Sequence, residues 1–271
     1  MPDLAVIMSV YKIDRLVFVK ESVQSILSQT FTQFDYYIVY DGPIDAEIES
    51  YISSISDSRL KLYKLEKKVG LASALNYLLH IILKKQEYRI IARMDADDIS
   101  MPDRFEKQFR FLSENEEIAC VGSWYEEIDE SGKHLADRKL PTDHDSLRKR
   151  YMTRTPFAHP SVMYRTQLIE TAGLYPTDTI FMEDNVLWGR ALKQGLKFAN
   201  IPEYLFRFRI DRDFYKRRSG VKYGCYFIVT RLKINKTLEM SPYCYILSFF
   251  TGFIRMMPAF VMRFLYQTFR K

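Results

Sequence analysis

In the first hundred positions, short apolar segments alternate with longer segments in which apolar residues recur at regular intervals. A nearly unbroken apolar run covers residues 4–10, as is typical of a strand buried on both faces. Residues 36–40, 60–65 and 89–94 indicate three further strands. Between these runs apolar residues recur every three or four positions, as they do from Leu71 to Ile82, which indicates helices. Strands that alternate with helices at this spacing predict an α/β fold with a mostly parallel central sheet.

Polar and small residues between the runs predict where elements begin. We expect Asp14 to cap the first helix, Gly70 to open the third helix and Pro102 to start the fourth. Residues 160–163 (PSVM) indicate a further strand. His159, which precedes it, is expected either to form a wall of an acceptor site or to be a hydrogen-bonded core histidine.

Side chains suited to ligand binding follow several predicted strands. Tyr11, Asp41 and the cluster Asp95, Asp97 and Asp98 fall where strands end, and ligands of α/β sheets bind beyond the carboxyl ends of strands. Three carboxylates within four positions repel one another unless a cation neutralises them, and Mg²⁺ or Mn²⁺ prefers such oxygen ligands. The alternative is a solvated acidic loop favoured by the dipole of the next helix.

A second acidic pair, Glu183 and Asp184, lies in an aromatic setting between Phe181 and Trp188. Carboxyl groups in such surroundings can have a raised pKa and serve as a general base. The alternative is that the pair only marks a helix N-terminus, where acidic residues are favoured.

Composition and missing motifs exclude several classes of protein. Of the 271 residues, 27% are charged and 47% hydrophobic, which excludes a disordered chain. Three scattered cysteines and an N-terminus without a basic region predict a cytosolic protein. The sequence has no G-x-x-x-x-G-K-[ST], G-x-G-x-x-G or G-x-S-x-G motif, so P-loop, dinucleotide-binding and serine-hydrolase chemistry lack support.

Charge divides the chain into two parts. The net charge is +6, and from Glu203 onward 14 Lys and Arg stand against 4 Asp and Glu. We predict a catalytic domain over residues 1–212 and a helical appendage over 213–271. The appendage has an aromatic-rich stretch, broken by Arg255, Pro258 and Arg263, that suits interfacial helices on an anionic membrane surface better than a full span. The alternative is that the appendage forms amphipathic helices packed on the catalytic domain. The acidic sites of the catalytic domain argue against nucleic acid as a partner.

Six ordered segments resemble the motifs of family 2 glycosyltransferases: AVIMSVYK, SILSQTFTQFDYYIVYDG, GLASALN, ARMDADDISMPDRFEKQ, HPSVMYR and EDNVLW. They span about three quarters of the chain. The resemblance implies the GT-A fold, a nucleoside-diphosphate sugar (UDP-sugar) donor, and Mn²⁺ or Mg²⁺ as cofactor.

The resemblance also implies roles for the candidate residues. Tyr11 would stack on the nucleotide base and Asp41 would accept from its ring N–H. Asp97 would be the principal metal ligand and Asp95 would lie near the ribose or the metal. Asp184 would be the general base with Glu183 as its neighbour. Three further residues would contact the donor sugar or support the acidic cluster: Arg93, Asp98 and Arg104.

The function implied is an inverting transfer to a lipid-linked glycan at the cytoplasmic face of the inner membrane, in capsule or O-antigen assembly. The motif after the second strand departs from the usual Asp-Asp-Gly-Ser, since Tyr40 and Pro43 flank Asp41 and Gly42. Two alternatives are a non-catalytic membrane adaptor on the same fold and a sugar nucleotidyltransferase, for which SVYKIDR lacks the glycine-rich loop. A processive synthase would need a Q-x-x-R-W motif, which is absent.

Overall fold

The computed structural model describes residues 3–269, and one sheet runs through its body. Its strands are β1 (Leu4–Val10), β2 (Phe34–Tyr40), β3 (Leu60–Lys64), β4 (Ile90–Asp95), β5 (Ile99–Ser100), β6 (Ile118–Ile128), β7 (His134–Arg138), β8 (Met163–Arg165) and β9 (Lys197–Arg209). The helices are α1 (Leu16–Leu27), α2 (Ala46–Ser53), α3 (Leu71–Lys85), α4 (Arg104–Glu114), α5 (His144–Tyr151), α6 (Thr166–Ala172), α7 (Glu183–Lys193), α8 (Phe214–Arg217), α9 (Val221–Thr237), α10 (Pro242–Arg255) and α11 (Ala259–Phe269).

The sheet has the strand order β3-β2-β1-β4-β8-β6-β9-β5, and β7 pairs with β6 at one side. The pairings β1–β2, β1–β4, β2–β3 and β6–β9 are parallel, whereas β8 is antiparallel to both β4 and β6. Strands β5 and β7 are antiparallel to their partners. Among the described strands, six therefore point in one direction and three in the other, which confirms the predicted α/β fold with a mostly parallel sheet.

Alternation along β1 divides the core into two layers. Leu4, Val6 and Met8 face the layer that includes residues of α1 and α2, while Ala5 and Ile7 face the layer that includes α3. All five side chains are fully buried. This two-sided burial explains why β1 reads as an unbroken apolar run, and its predicted bounds are confirmed.

Some element ends differ from the prediction. Asp14 does not cap α1; Arg15 is the N-cap without a side-chain hydrogen bond, and the Asp14 carboxylate instead accepts from the Tyr11 N–H at 2.7 Å. The strand predicted over residues 160–163 begins only at Met163, the first residue of β8, because His159–Ser161 is a 3₁₀ turn. Gly70 does open α3, with a φ of 90° that suits glycine.

The C-terminal helices pack on the body and on each other. Helix α9 contacts α7, and the buried Arg231 of α9 donates to the Tyr151 carbonyl at 2.7 Å. Helices α9 and α10 cross at glycines, since a Cβ on Gly224 would lie 2.8 Å from the Gly252 carbonyl oxygen. The predicted boundary at 212/213 falls between the end of β9 and the start of α8.

Helix α10 has an unusual distribution of side chains. The residues it buries are small: Cys244, Ser248 and Gly252, spaced by four. Its large apolar side chains face outward, with Ile246, Phe250 and Phe253 each more than 60% exposed. Within residues 3–269 no helix alone is long and apolar enough to cross a bilayer; α10 and the part of α11 up to Tyr266 would pass that test together, but the chain bends by 119° between them.

Candidate active site

Three aspartates predicted as a cluster come together at the end of β4. Asp95 is the last residue of this strand, and Asp97 and Asp98 form the turn into β5. One carboxylate oxygen from each of the three lies within 4.8 Å of the others. The fold thus gathers three oxygen ligands at the carboxyl end of a central strand, as the sequence predicted.

Arg209, at the end of β9, holds this acidic turn in place. Its backbone N–H donates to Asp98 Oδ1 at 2.7 Å, and its Nε donates to the Asp97 carbonyl at 2.8 Å. Its guanidinium also pairs with Glu21 and lies over the Phe18 ring, 4.3 Å from the centroid. Sequence analysis missed this role, because the contact joins residues 111 positions apart and no local pattern signals it.

The electrostatics of the turn suit a cation. Burial raises the pKa of Asp97 to about 6, and the nearby Asp95 charge adds to the effect. Burial together with the charges of Asp97 and Asp95 raises the pKa of Asp98 well above its usual range. Asp98 Oδ2 is buried and has no hydrogen-bond partner within residues 3–269. An unpartnered oxygen beside two other carboxylates is a donor set that fits Mg²⁺ or Mn²⁺.

Two fully buried arginines lie next to the acidic cluster and its strand. Arg93 forms an ion pair with Asp95, and its Nε and Nη2 have no partner within the described part of the chain. Arg104 donates to the Arg93 carbonyl at 2.9 Å and to Gln108 at 3.0 Å. Burial, with the Arg93 charge second, lowers the pKa of Arg104 to about 9. Arg93 thus reaches the site, whereas Arg104 braces the backbone of β4.

The residues predicted for the nucleotide base lie at the ends of β1 and β2. Tyr11 accepts from Lys68 Nζ at 2.7 Å, and Asp14 beside it has a pKa raised to about 7 by burial. Asp41 is buried, and its carboxylate accepts from the backbone N–H of Val69 at 2.6 Å and of Gly70 at 3.0 Å. Asp41 therefore shapes the loop that carries Lys68. Neither Lys68 nor Asp14 was predicted as a site residue.

The second acidic pair lies at the start of α7, as predicted. The preceding Met182 has a φ of 67°, a left-handed conformation that costs on the order of 1–3 kcal/mol in a residue other than glycine. Burial raises the pKa of Glu183 to about 7, helped by the Asp184 charge. Burial also raises the pKa of Asp184, against a hydrogen bond from Asn185. The charges of Arg93 and Asp95 also act on Glu183, so the pair lies within electrostatic range of the acidic turn.

His159 is half-buried between two aromatic residues. Its Nε2 is 2.9 Å from the Tyr175 hydroxyl, and its ring is 6.2 Å from that of Trp188. Burial and then the Arg93 charge lower its pKa well below the usual range. The histidine is therefore neutral and hydrogen-bonded, as in the second of its two predicted roles, and its partial exposure leaves the first role open.

Comparison with known proteins identifies the family. The profile of Glycosyl transferase family 2 matches residues 5–172, more than half of the chain. The chain belongs to glycosyltransferase family 2. The predicted family is thus confirmed, and the protein is a glycosyltransferase.

Two curated relatives match over nearly the whole length. The amylovoran biosynthesis glycosyltransferase AmsE of Erwinia amylovora is 30% identical over 98% of this chain and 99% of the relative. The UDP-Gal:alpha-D-GlcNAc-diphosphoundecaprenol beta-1,3-galactosyltransferase of Escherichia coli is also 30% identical, over 98% of this chain and 96% of the relative. The C-terminal helices are therefore included in both matches.

Two solved structures confirm the GT-A fold. S. aureus TarS 1–349 in complex with UDP-GlcNAc has a TM-score of 0.67 and 16% identity, over 94% of this chain and 72% of that one. The mannosyltransferase PcManGT from Pyrobaculum calidifontis, in complex with GDP-Man and Mn²⁺, has a TM-score of 0.65 and 14% identity, over 98% of this chain and 76% of that one. At these identities the likeness concerns the fold alone.

Proposed function

We propose that this glycosyltransferase is an inverting, metal-dependent enzyme that moves a sugar from a UDP-sugar to a hydroxyl group of a lipid-linked glycan. The observation that carries the proposal is the electrostatic contact between two acidic groups. The cluster Asp95, Asp97 and Asp98 would bind the cation, and the charge of Asp95 reaches Glu183, the neighbour of Asp184. The names of the relatives support the donor, the diphospholipid acceptor and a role in surface polysaccharide assembly.

The mechanism follows from the charges. Asp97, Asp95 and Asp98 would hold Mg²⁺ or Mn²⁺, and the bound cation would neutralise charge on the leaving diphosphate. Asp184 accepts the proton of the acceptor hydroxyl, which then attacks the anomeric carbon from the opposite face. The C–O bond to the diphosphate breaks in the same displacement, so the anomeric configuration inverts. Arg93 holds Asp95 in place, and Tyr11 would stack on the nucleotide base.

Product analysis tests this proposal. The purified protein would be incubated with Mn²⁺, a prenyl diphosphate-linked N-acetylglucosamine, and UDP-, GDP- or dTDP-sugars in turn. We expect transfer from a UDP-linked α-sugar to give a β-linked product, assigned by the NMR coupling of the anomeric proton. A retained configuration would refute the inverting displacement, and transfer from GDP- or dTDP-sugars alone would refute the donor. Absence of any transfer would favour the adaptor.

We also propose that the outward face of α10 and α11 contacts the anionic lipids of the inner membrane at its cytoplasmic side. Phe249, Phe250, Phe253, Phe260 and Phe264 are all exposed on these helices. A helix in water normally buries its large apolar side chains and exposes small or polar ones, and α10 does the reverse. The excess of Lys and Arg in residues 203–271 complements anionic headgroups.

Vesicle binding checks this membrane contact. We expect the wild-type protein to sediment with phosphatidylglycerol vesicles. The double change Phe250→Ser and Phe253→Ser should lower the partition coefficient about tenfold or more, because each phenyl ring contributes about 1.5–3 kcal/mol when buried. Leu135→Ser, at an exposed apolar position on β7, is the matched control. Equal binding by all three proteins would exclude this face as the contact.

A further inference from the structure

Two half-buried arginines near the aromatic C-terminal surface lack acidic partners. Arg218 follows α8, and Arg255 ends α10. Within residues 3–269 neither guanidinium makes a hydrogen bond or an ion pair. Each lies over an aromatic ring instead: the Arg218 Cζ is 4.0 Å from the centroid of Phe214, and the Arg255 Cζ is 4.5 Å from that of Phe227. Stacking of this kind orients a guanidinium and leaves its N–H groups free to donate.

The charges of these arginines favour an anion between them. Burial lowers the pKa of Arg218, and the neighbouring charges of Arg217 and Arg255 lower it further. Arg217 is already neutralised, because it donates to both oxygens of Asp211, at 2.7 and 3.0 Å. Arg218 and Arg255 therefore repel one another without a compensating acid within salt-bridge distance. Phosphate oxygens are the anionic partners that the planar, multidentate guanidinium binds best.

Contacts between side chains place this pair beside the general base. Arg255 lies 5.6 Å from the Tyr223 ring centroid, and the Tyr223 ring is 5.0 Å from that of Phe181, two residues before Glu183. The Arg218 charge is close enough to act on Asp184, whose pKa it lowers against the effect of burial. The pair is thus linked to the start of α7 by ring contacts through Tyr223 and Phe181 and by the charge of Arg218.

We propose that Arg218 and Arg255 bind the diphosphate that joins the acceptor glycan to its lipid. This inference rests on the proposed function, since it specifies the chemistry of the acceptor. The donor diphosphate is assigned to the acidic turn, so a second anion site next to Asp184 serves the acceptor. A sugar attached to a diphosphate held here would present its hydroxyl to the base while its lipid lies against the aromatic face.

Binding of a short prenyl diphosphate, geranyl diphosphate, tests the site without requiring catalysis. We expect calorimetry in mild detergent to show binding to the wild-type protein, and Arg218→Gln or Arg255→Gln to weaken it roughly tenfold or more. Arg263→Gln removes the same charge from the exposed face of α11 and should leave binding unchanged. The conservative variant Arg255→Lys should recover part of the loss. If Arg255→Gln and Arg263→Gln weaken the binding of geranyl diphosphate equally, the binding depends on general surface charge, and the assignment is overturned.

Kinetics with two acceptors separate this site from its alternatives. In Arg255→Gln we expect KM for a prenyl diphosphate-linked sugar to rise about tenfold, while kcat/KM for an alkyl glycoside of the same sugar and KM for the donor stay unchanged. A raised donor KM would assign the arginines to the donor, and a parallel loss of vesicle binding would assign them to phospholipid headgroups; either result overturns the proposal. If geranyl diphosphate binds as expected but the wild-type protein transfers to neither acceptor, the proposed function fails and the anion site stands.

Discussion

Asp97→Ala is expected to abolish metal-dependent binding of the nucleotide. Asp97 is one of three aspartates whose carboxylate oxygens lie within 4.8 Å of one another. Without Asp97 the cation would lose a ligand, and the diphosphate would lose its counter-charge. Calorimetry with UDP should show tight binding to the wild-type protein in Mn²⁺, weak binding in EDTA, and weak binding to the variant under both conditions. Sugar transfer should fall by about a thousandfold or more, in line with the loss of an electrostatic group at the reaction centre.

The control for this experiment is Asp103→Asn, which alters a half-buried acid between β5 and α4 that pairs with Lys107 at 2.6 Å. It should bind UDP as the wild type does. The fold of Asp97→Ala should also persist, because removing one of three mutually repelling carboxylates does not destabilise the metal-free protein. Metal-dependent UDP binding that survives in a folded Asp97→Ala protein would refute the metal site.

Asp184→Asn is expected to stop the chemical step and leave donor binding intact. The amide keeps the shape of the side chain but cannot accept the proton of the acceptor hydroxyl, and loss of a general base costs about 10²- to 10⁴-fold in kcat. Steady-state rates with saturating donor and acceptor measure this effect, and UDP calorimetry shows whether the donor site is intact. Asp178→Asn, at an exposed position in the preceding loop, provides the matched control.

The same assignment fixes the sign of the pH dependence. Burial raises the pKa of Asp184, and that of Glu183 to about 7. The protonated form of the base cannot accept a proton, so kcat/KM should fall as the pH decreases through this raised pKa. The acid limb should therefore lie well above the value near 4 of an ordinary carboxyl group. A rate that stays constant down to pH 5, or a kcat retained in Asp184→Asn, would exclude Asp184 as the base.

Most of the architecture could be predicted from local sequence. An unbroken apolar run such as residues 4–10 has few alternatives to a buried parallel strand, and the three aspartates are grouped because they follow one strand directly. The strand predicted from Pro160 begins only at Met163, because Pro160 lies in a turn that apolar content alone does not reveal. Likewise Asp14, a good capping residue, is held by the Tyr11 backbone instead of α1.

The contacts that complete the candidate site could not be predicted, because they join distant parts of the chain. Arg209 reaches Asp98 across 111 positions, and Lys68 reaches Tyr11 across 57. Arg255 is adjacent to neither acidic group in sequence, and only the crossing of α9 and α10 brings it near Tyr223. Such pairings depend on tertiary packing, on which the spacing of residues along the chain carries no information.

The attachment of the acidic turn to Arg209 has a consequence for the order of folding. The segment that matches the family profile ends at residue 172, and it contains all three aspartates but not the arginine that fixes them. During synthesis the first half of the sheet can form as soon as β4 emerges, since β1 pairs with both β2 and β4. The turn gains its final hydrogen bonds only after β9 has been added to β6. A nascent chain that has not reached residue 209 therefore carries the proposed cation ligands without the hydrogen bonds that fix their turn, and we expect cation binding only after β9 is in place.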